Sequence, residues 1–206
     1  MKTLRSFSLL AVAGIILSSC NNDEKNPNPV NEEELITRIT LTFSEVGSPT
    51  SIEAIWGDPD GDGGNNPEVG DIHLKSNTQY SVNIALKDES KNPAVDITEE
   101  VEEEKDEHQF FFTDKTVSTP GYINYAQKKG ATTPLNLEVT YQESDKDSNG
   151  IYTGLSTTFL TGAASSGKLV LTLKHQPDLK MNAPTPFGDP LLGESDIEIE
   201  FDVIIQ

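Results

Sequence analysis

The sequence predicts an all-β fold, an immunoglobulin-like antiparallel β-sandwich of about eight strands with one short helix. Three observations carry that reading. Apolar residues recur at every second position over much of the chain, which sets one face of each segment on a core and the other in water. The intervening segments are rich in Gly, Asp, Asn and Pro, the residues that turns use. One stretch, Asp96 to Asp106, breaks the alternation, and it opens like a capped helix.

The alternation begins at Leu35. Ile39, Leu41 and Phe43 alternate with Thr40 and Thr42, and Ile52 to Trp56 is a shorter candidate strand. Tyr80, Val82, Ile84 and Leu86 alternate with Ser81, Asn83 and Ala85. Asp96 then stands as a helix N-cap with Glu99 three residues on, and Ile97 and Val101 form a narrow apolar stripe; these residues predict a helix over 97–106. Gln109 to Thr113 is the next short strand. Within it Phe110 and Phe112 share one face and Phe111 takes the other; either face can point outward, and cover of the outward one by the helix is expected. Leu135, Leu137, Val139 and Tyr141 form a strand, followed by Leu155, Thr157 and Phe159, and by Leu169, Leu171 and Leu173. Ile197, Ile199, Phe201, Val203 and Ile205 close the chain, alternating with Glu198, Glu200 and Asp202. The Cys…Trp…Cys signature of antibody domains is absent, so the strand order stays open.

Ahead of this domain the chain has a different character. Lys2 and Arg5 precede an apolar run from Phe7 to Leu17, and Ser18 and Ser19 lead to Cys20, the only cysteine. This pattern resembles a lipobox. It predicts a signal peptide over residues 1–19, a lipidated flexible tether over 20–34 and the β-sandwich domain over 35–206. The apolar run is shorter than the roughly 20 residues that span a bilayer, so the expected attachment to the membrane is the lipid on Cys20. The expected location is the outer membrane, on its periplasmic or cell-surface face. Loss of Lys2 and Arg5 takes the formal charge from 15 − 34 = −19 to 13 − 34 = −21. A surface that acidic repels nucleic-acid phosphate, and it favours cations, basic partners or plain solubility.

Two loops have the spacing of calcium loops. Asp58, Asp60 and Asp62 stand in D-x-D-x-D-G, and Asp145, Asp147 and Asn149 in D-x-D-x-N-G, so alternate side chains can converge on one cation. The bidentate Glu of an EF-hand is missing from both: Val69 and Ser156 occupy its place, with Glu68 and Asp71 near the first loop. The same residues also serve ordinary hairpin turns. For a transition metal the candidates are His108, four residues after Glu104, and His175, close to Asp178; His73 follows Asp71. There is no G-x-S-x-G, H-E-x-x-H or P-loop. The sequence therefore predicts a protein that is not an enzyme.

Asp58 to Gly64, Asp96 to Phe112 (DITEEVEEEKDEHQFFF), His175 to Lys180 and Gly193 to Glu198 resemble small Bacteroidetes lipoproteins of uncharacterised function. These are often labelled "type 1 periplasmic binding fold superfamily protein". Such lipoproteins commonly accompany TonB-dependent receptors, so the resemblance implies a role in nutrient capture with such a receptor as partner. Asp23-Glu24, just after Cys20, resembles the acidic signal of lipoproteins carried to the cell surface. The label implies two α/β lobes, whereas the period-two patterning predicts a β-sandwich. Three functions stay in play: a lipid-anchored binding module, a calcium-stabilised structural or adhesion module, and a hydrolase using acidic side chains.

Overall fold

The computed structural model describes residues 34–61, 64–115, 121–122, 134–182 and 186–206. The lipobox, the tether up to residue 33 and Asp62 lie outside these segments. In chain order the strands are β1 (Arg38–Glu45), β2 (Ser51–Gly57), β3 (Glu68–Val69), β4 (Ile72–Leu74), β5 (Gln79–Asp88) and β6 (Val95–Asp96). After the helix α1 (Ile97–Glu103) come β7 (His108–Asp114), β8 (Gly121–Tyr122), β9 (Leu137–Tyr141), β10 (Ser156–Thr161), β11 (Ser165–His175) and β12 (Glu194–Ile205). A 3-10 turn at Lys180–Asn182 follows β11. No helix among the described residues is long and apolar enough to cross a membrane.

The strands form two sheets. One runs β3-β2-β1-β5-β10-β9 with β6 added beside β5; the other runs β4-β12-β11-β7-β8. Their inner faces share one core, with Leu41, Phe43, Val82 and Phe159 from the first sheet and Phe110, Phe112, Leu171 and Phe201 from the second. The fold is the all-β sandwich that the alternation implies. The eight segments with visible alternation became β1, β2, β5, β7, β9, β10, β11 and β12. Four further strands, β3, β4, β6 and β8, are two or three residues long. So short a segment cannot display a period of two. One pair departs from the antiparallel pattern: β4 lies parallel to β12, with Ile204 opposite His73.

The helix is shorter than expected, ending at Glu103 instead of 106. Asp96 does cap it, accepting a hydrogen bond from the Thr98 N–H at 2.9 Å. Acids in the first turn suit the positive end of the helix, but the last turn contains no basic residue. Glu102, Glu103 and Glu104 would all meet the negative end, so continuation is disfavoured. Ile97 and Val101 are buried. The helix packs on β5, so Phe111 is covered differently from the expectation. It lies in a groove of about 460 Å³ with Val170, Thr172, Pro190 and Leu191.

β7 is buried along its whole length instead of alternating. It runs between β11 and β8 within its sheet. A hydrogen bond ties it to the opposite sheet: the Tyr141 hydroxyl donates to the Phe110 carbonyl at 2.6 Å. Burial pushes the Tyr141 phenol far above its ordinary range, so it remains a donor. Gly154 makes room for this contact. Its φ is +91°, and a Cβ there would lie 2.7 Å from the Tyr141 ring and 2.9 Å from Phe110 Cβ. Tyr141→Phe is expected to lower stability by about 1–2 kcal/mol, because a buried carbonyl loses its partner while the ring still fills its place. Urea unfolding checks this, and a change below about 0.3 kcal/mol would contradict it.

Candidate functional site

One cluster of buried polar side chains lies where α1 turns into β7. The chain leaves the helix through a tight turn in which Glu107 N–H and His108 N–H both donate to the Glu104 carbonyl, at 2.8 and 3.2 Å. That turn delivers His108 as the first residue of β7, on the same face as Phe110 and Phe112. The pairing of β7 with β11 then places His175 directly opposite His108. The two rings stack, 4.5 Å between centroids and 9° from parallel. Both histidines are buried, and the structure brings together two candidates that lie far apart in the sequence.

Two carboxylates complete the cluster. Glu34, at the end of the predicted tether, sets its Oε1 3.2 Å from His108 Nε2, and its side chain is only 9% exposed. Asp196 sets its Oδ2 3.7 Å from the same nitrogen, and its side chain is fully buried. Asp196 arrives there through a β-bulge. Leu173 pairs with Ile197 but Lys174 pairs with Ser195, so Asp196 is the extra residue of β12. In an unbroken strand it would face away from Ile197 and the core. The bulge re-aims it inward.

The other ring nitrogen of His108, Nδ1, lies 3.2 Å from the Glu104 carbonyl oxygen. A carbonyl only accepts, so Nδ1 carries a proton and donates, which leaves Nε2 toward the carboxylates. The expected approach of Glu104 to His108 is present although the helix stops at Glu103, and the backbone carbonyl is its nearer contact. The Glu104 carboxylate stands farther off, at 4.0 Å, and is exposed. His175 Nε2 meets Glu107 Oε2 at 3.1 Å. Burial would push His108 down, but the adjacent Glu34 and Asp196 carboxylates hold it above its ordinary imidazole value. Burial likewise opposes Glu34, yet His108 holds it below the usual carboxylate range.

The two aspartate loops are built differently. In the second, Asp147 Oδ1 accepts from the Asn149 and Ile151 N–H groups, each at 2.8 Å. Asp147 Oδ2 lies 3.1 Å from the ammonium of Lys180, and both side chains are fully buried. Asp145 Oδ2 accepts from the Gly154 and Ser156 N–H groups at 2.7 and 3.0 Å. Burial nevertheless pushes Asp145 above its usual value. The cation beside Asp147 is thus a side chain of the protein itself. Asn149 contributes its backbone N–H to the turn. In the first loop Asp58 is buried, while Asp60 Oδ2 is held by the N–H and side-chain amide of Asn65 at 3.0 and 2.7 Å. Those contacts keep Asp60 below its usual range.

His73 lies on β4, exposed, 3.9 Å from Asp71. The acidic row on β12 is matched by lysines: Glu200 meets Lys115 at 2.7 Å and Lys168 at 2.6 Å, and Asp202 meets Lys168 at 3.1 Å. Glu34 and Asp196 escaped the sequence reading. Glu34 is one of three consecutive glutamates, Glu32 to Glu34, and nothing local distinguishes it. The bulge at Asp196 had no signal beyond the small polar run Gly193 to Asp196 that precedes the last strand.

No family model, curated protein or solved structure matches this chain.

Proposed function

We propose that this chain is a lipid-anchored, non-enzymatic binding module of the outer membrane, accessory to uptake through a TonB-dependent receptor. The observation that carries the reading is the lipobox-like Leu17-Ser18-Ser19-Cys20 behind a basic and then apolar leader. A thioether-linked lipid at Cys20 holds the domain at a membrane surface through a polar tether, which suits capture and hand-over. The fold supports the same reading. A sandwich closed over one aromatic and aliphatic core carries a buried polar cluster around His108 and His175, a place where a ligand could be held.

The test is mass spectrometry of the mature N-terminus from cells expressing the full chain. Acylated Cys20 as the first residue is the expected result, and Cys20→Ser should give an unacylated protein lost from the membrane fraction. An intact leader, or cleavage elsewhere without acylation, would overturn the anchor. Crosslinking in intact cells should then recover an outer-membrane receptor. Even and unselective crosslinking to neighbouring proteins would count against the partner.

A further inference from the structure

We propose that Glu34, His108 and Asp196 form a binding site for a divalent transition-metal ion, with zinc the best fit. The inference names a ligand for the domain and does not depend on membrane anchoring. Four features of the cluster lead to it. Zinc bonds of about 2.0–2.2 Å in a tetrahedron set neighbouring ligand atoms about 3.3–3.6 Å apart. His108 Nε2 lies 3.2 Å from Glu34 Oε1 and 3.7 Å from Asp196 Oδ2. One ligand atom from each of the three residues falls within 4.8 Å of both others. Both histidine-to-carboxylate spacings are close to those of a coordination sphere.

The second feature is an orphaned donor site. His108 is fully buried, and its Nε2 makes no hydrogen bond among the described residues; Glu34 Oε2 is buried and equally without one. Glu34 Oε1 stands beside Nε2 as an ion-pair partner at 3.2 Å. Buried polar atoms are rarely left without a hydrogen bond, since each costs about 1–3 kcal/mol. The third is orientation. Nδ1–H is committed to the Glu104 carbonyl, which fixes the ring and presents Nε2 as the ligand. The bulge in β12 performs the same service for Asp196. The fourth is charge. Two carboxylates and an imidazolium sum to −1, whereas two carboxylates, a neutral imidazole and a divalent ion sum to zero. A neutral set is the cheaper one to bury.

A second group, Glu104, His108 and His175, also brings one ligand atom each within 4.8 Å. It is the weaker arrangement. His108 would approach Glu104 through Nδ1, which the Glu104 carbonyl already occupies, and the Glu104 carboxylate is exposed. One imidazole with two carboxylates suits zinc, and manganese or iron(II) next. The three side chains leave a fourth position for water. Glu34 lies just before β1. Metal at this site would fasten the entry of the N-terminal segment to β7 and β12.

The test is calorimetric zinc titration of the full chain, purified in detergent and stripped with EDTA. Expected are one ion per chain with micromolar or tighter affinity, and a cobalt(II) spectrum of a four-coordinate nitrogen–oxygen site. Glu34→Gln and Asp196→Asn should each weaken zinc by at least about tenfold, while Glu104→Gln leaves it unchanged. Glu34 stands outside the strands, so an unaltered circular dichroism spectrum of Glu34→Gln separates lost ligation from lost fold. Absence of zinc and cobalt binding by the native chain would overturn the site. So would full affinity in Glu34→Gln together with loss in Glu104→Gln. Because the readout is metal binding in detergent, it is unaffected by whether Cys20 is acylated.

Discussion

Lys180→Met is expected to lower the unfolding free energy by about 3–5 kcal/mol. The Lys180 ammonium is buried 3.1 Å from Asp147 and donates to the Lys105 carbonyl. Burial pushes Lys180 down from its ordinary value against the pull of Asp147, Asp106 and Asp145. Methionine fills the same space without the charge. Asp147 would then be left as a buried carboxylate whose Oδ2 faces an apolar thioether. The sequel decides the cause. Asp147→Asn in the Lys180→Met background removes the stranded charge and keeps an oxygen for the Asn149 and Ile151 N–H groups. That double variant should recover most of the loss, giving a coupling near the top of the usual range of about 0.5–3 kcal/mol. Urea unfolding of the four proteins measures it. A single-variant loss under about 1 kcal/mol would mean that water reaches the pair and screens it.

This pair also shows where the sequence stops being informative. Asp145-Lys146-Asp147-Ser148-Asn149-Gly150 has a cation-binding spacing, and the structure does place a cation beside Asp147. The cation is Lys180, far along the chain in a 3-10 turn, and local spacing contains nothing about it. The histidine cluster has the same character. His108 and His175 were each visible beside acids, but their stacking is a matter of strand register, which depends on long-range pairing. Long alternating segments such as β5 and β12 were legible because ten or twelve residues display the period plainly. Glu68–Val69 and Val95–Asp96 are too short to show it. The break at Asp96 was legible as a helix start, since an N-cap is a local device. Its end was less so, because the penalty on acids at the C-terminal turn competes with their good intrinsic helix propensity.

Phe159→Ala is expected to cost a further about 3–5 kcal/mol of stability, by a different mechanism. Phe159 on β10 is fully buried and stands between the sheets. Its ring meets Phe43 of β1 edge-on at 5.5 Å and Phe112 of β7 at 5.4 Å. Phe112 in turn meets Tyr141 of β9 at 6.0 Å. Truncation at Phe159 opens a cavity at the middle of this series, and aromatic edge contacts are lost on both sides. Phe159→Leu keeps much of the volume and should cost distinctly less. Thermal or urea unfolding separates the two; equal losses would show that ring geometry matters more than volume. Phe112 shares a strand face with His108, so the core that Phe159 completes also fixes the strand carrying the polar cluster. Because leucine keeps much of the volume that holds this strand, zinc affinity at low temperature, where Phe159→Leu remains folded, should stay near the native value while stability falls. An affinity that falls in step with stability would instead mean that the aromatic core and the cluster move as one unit.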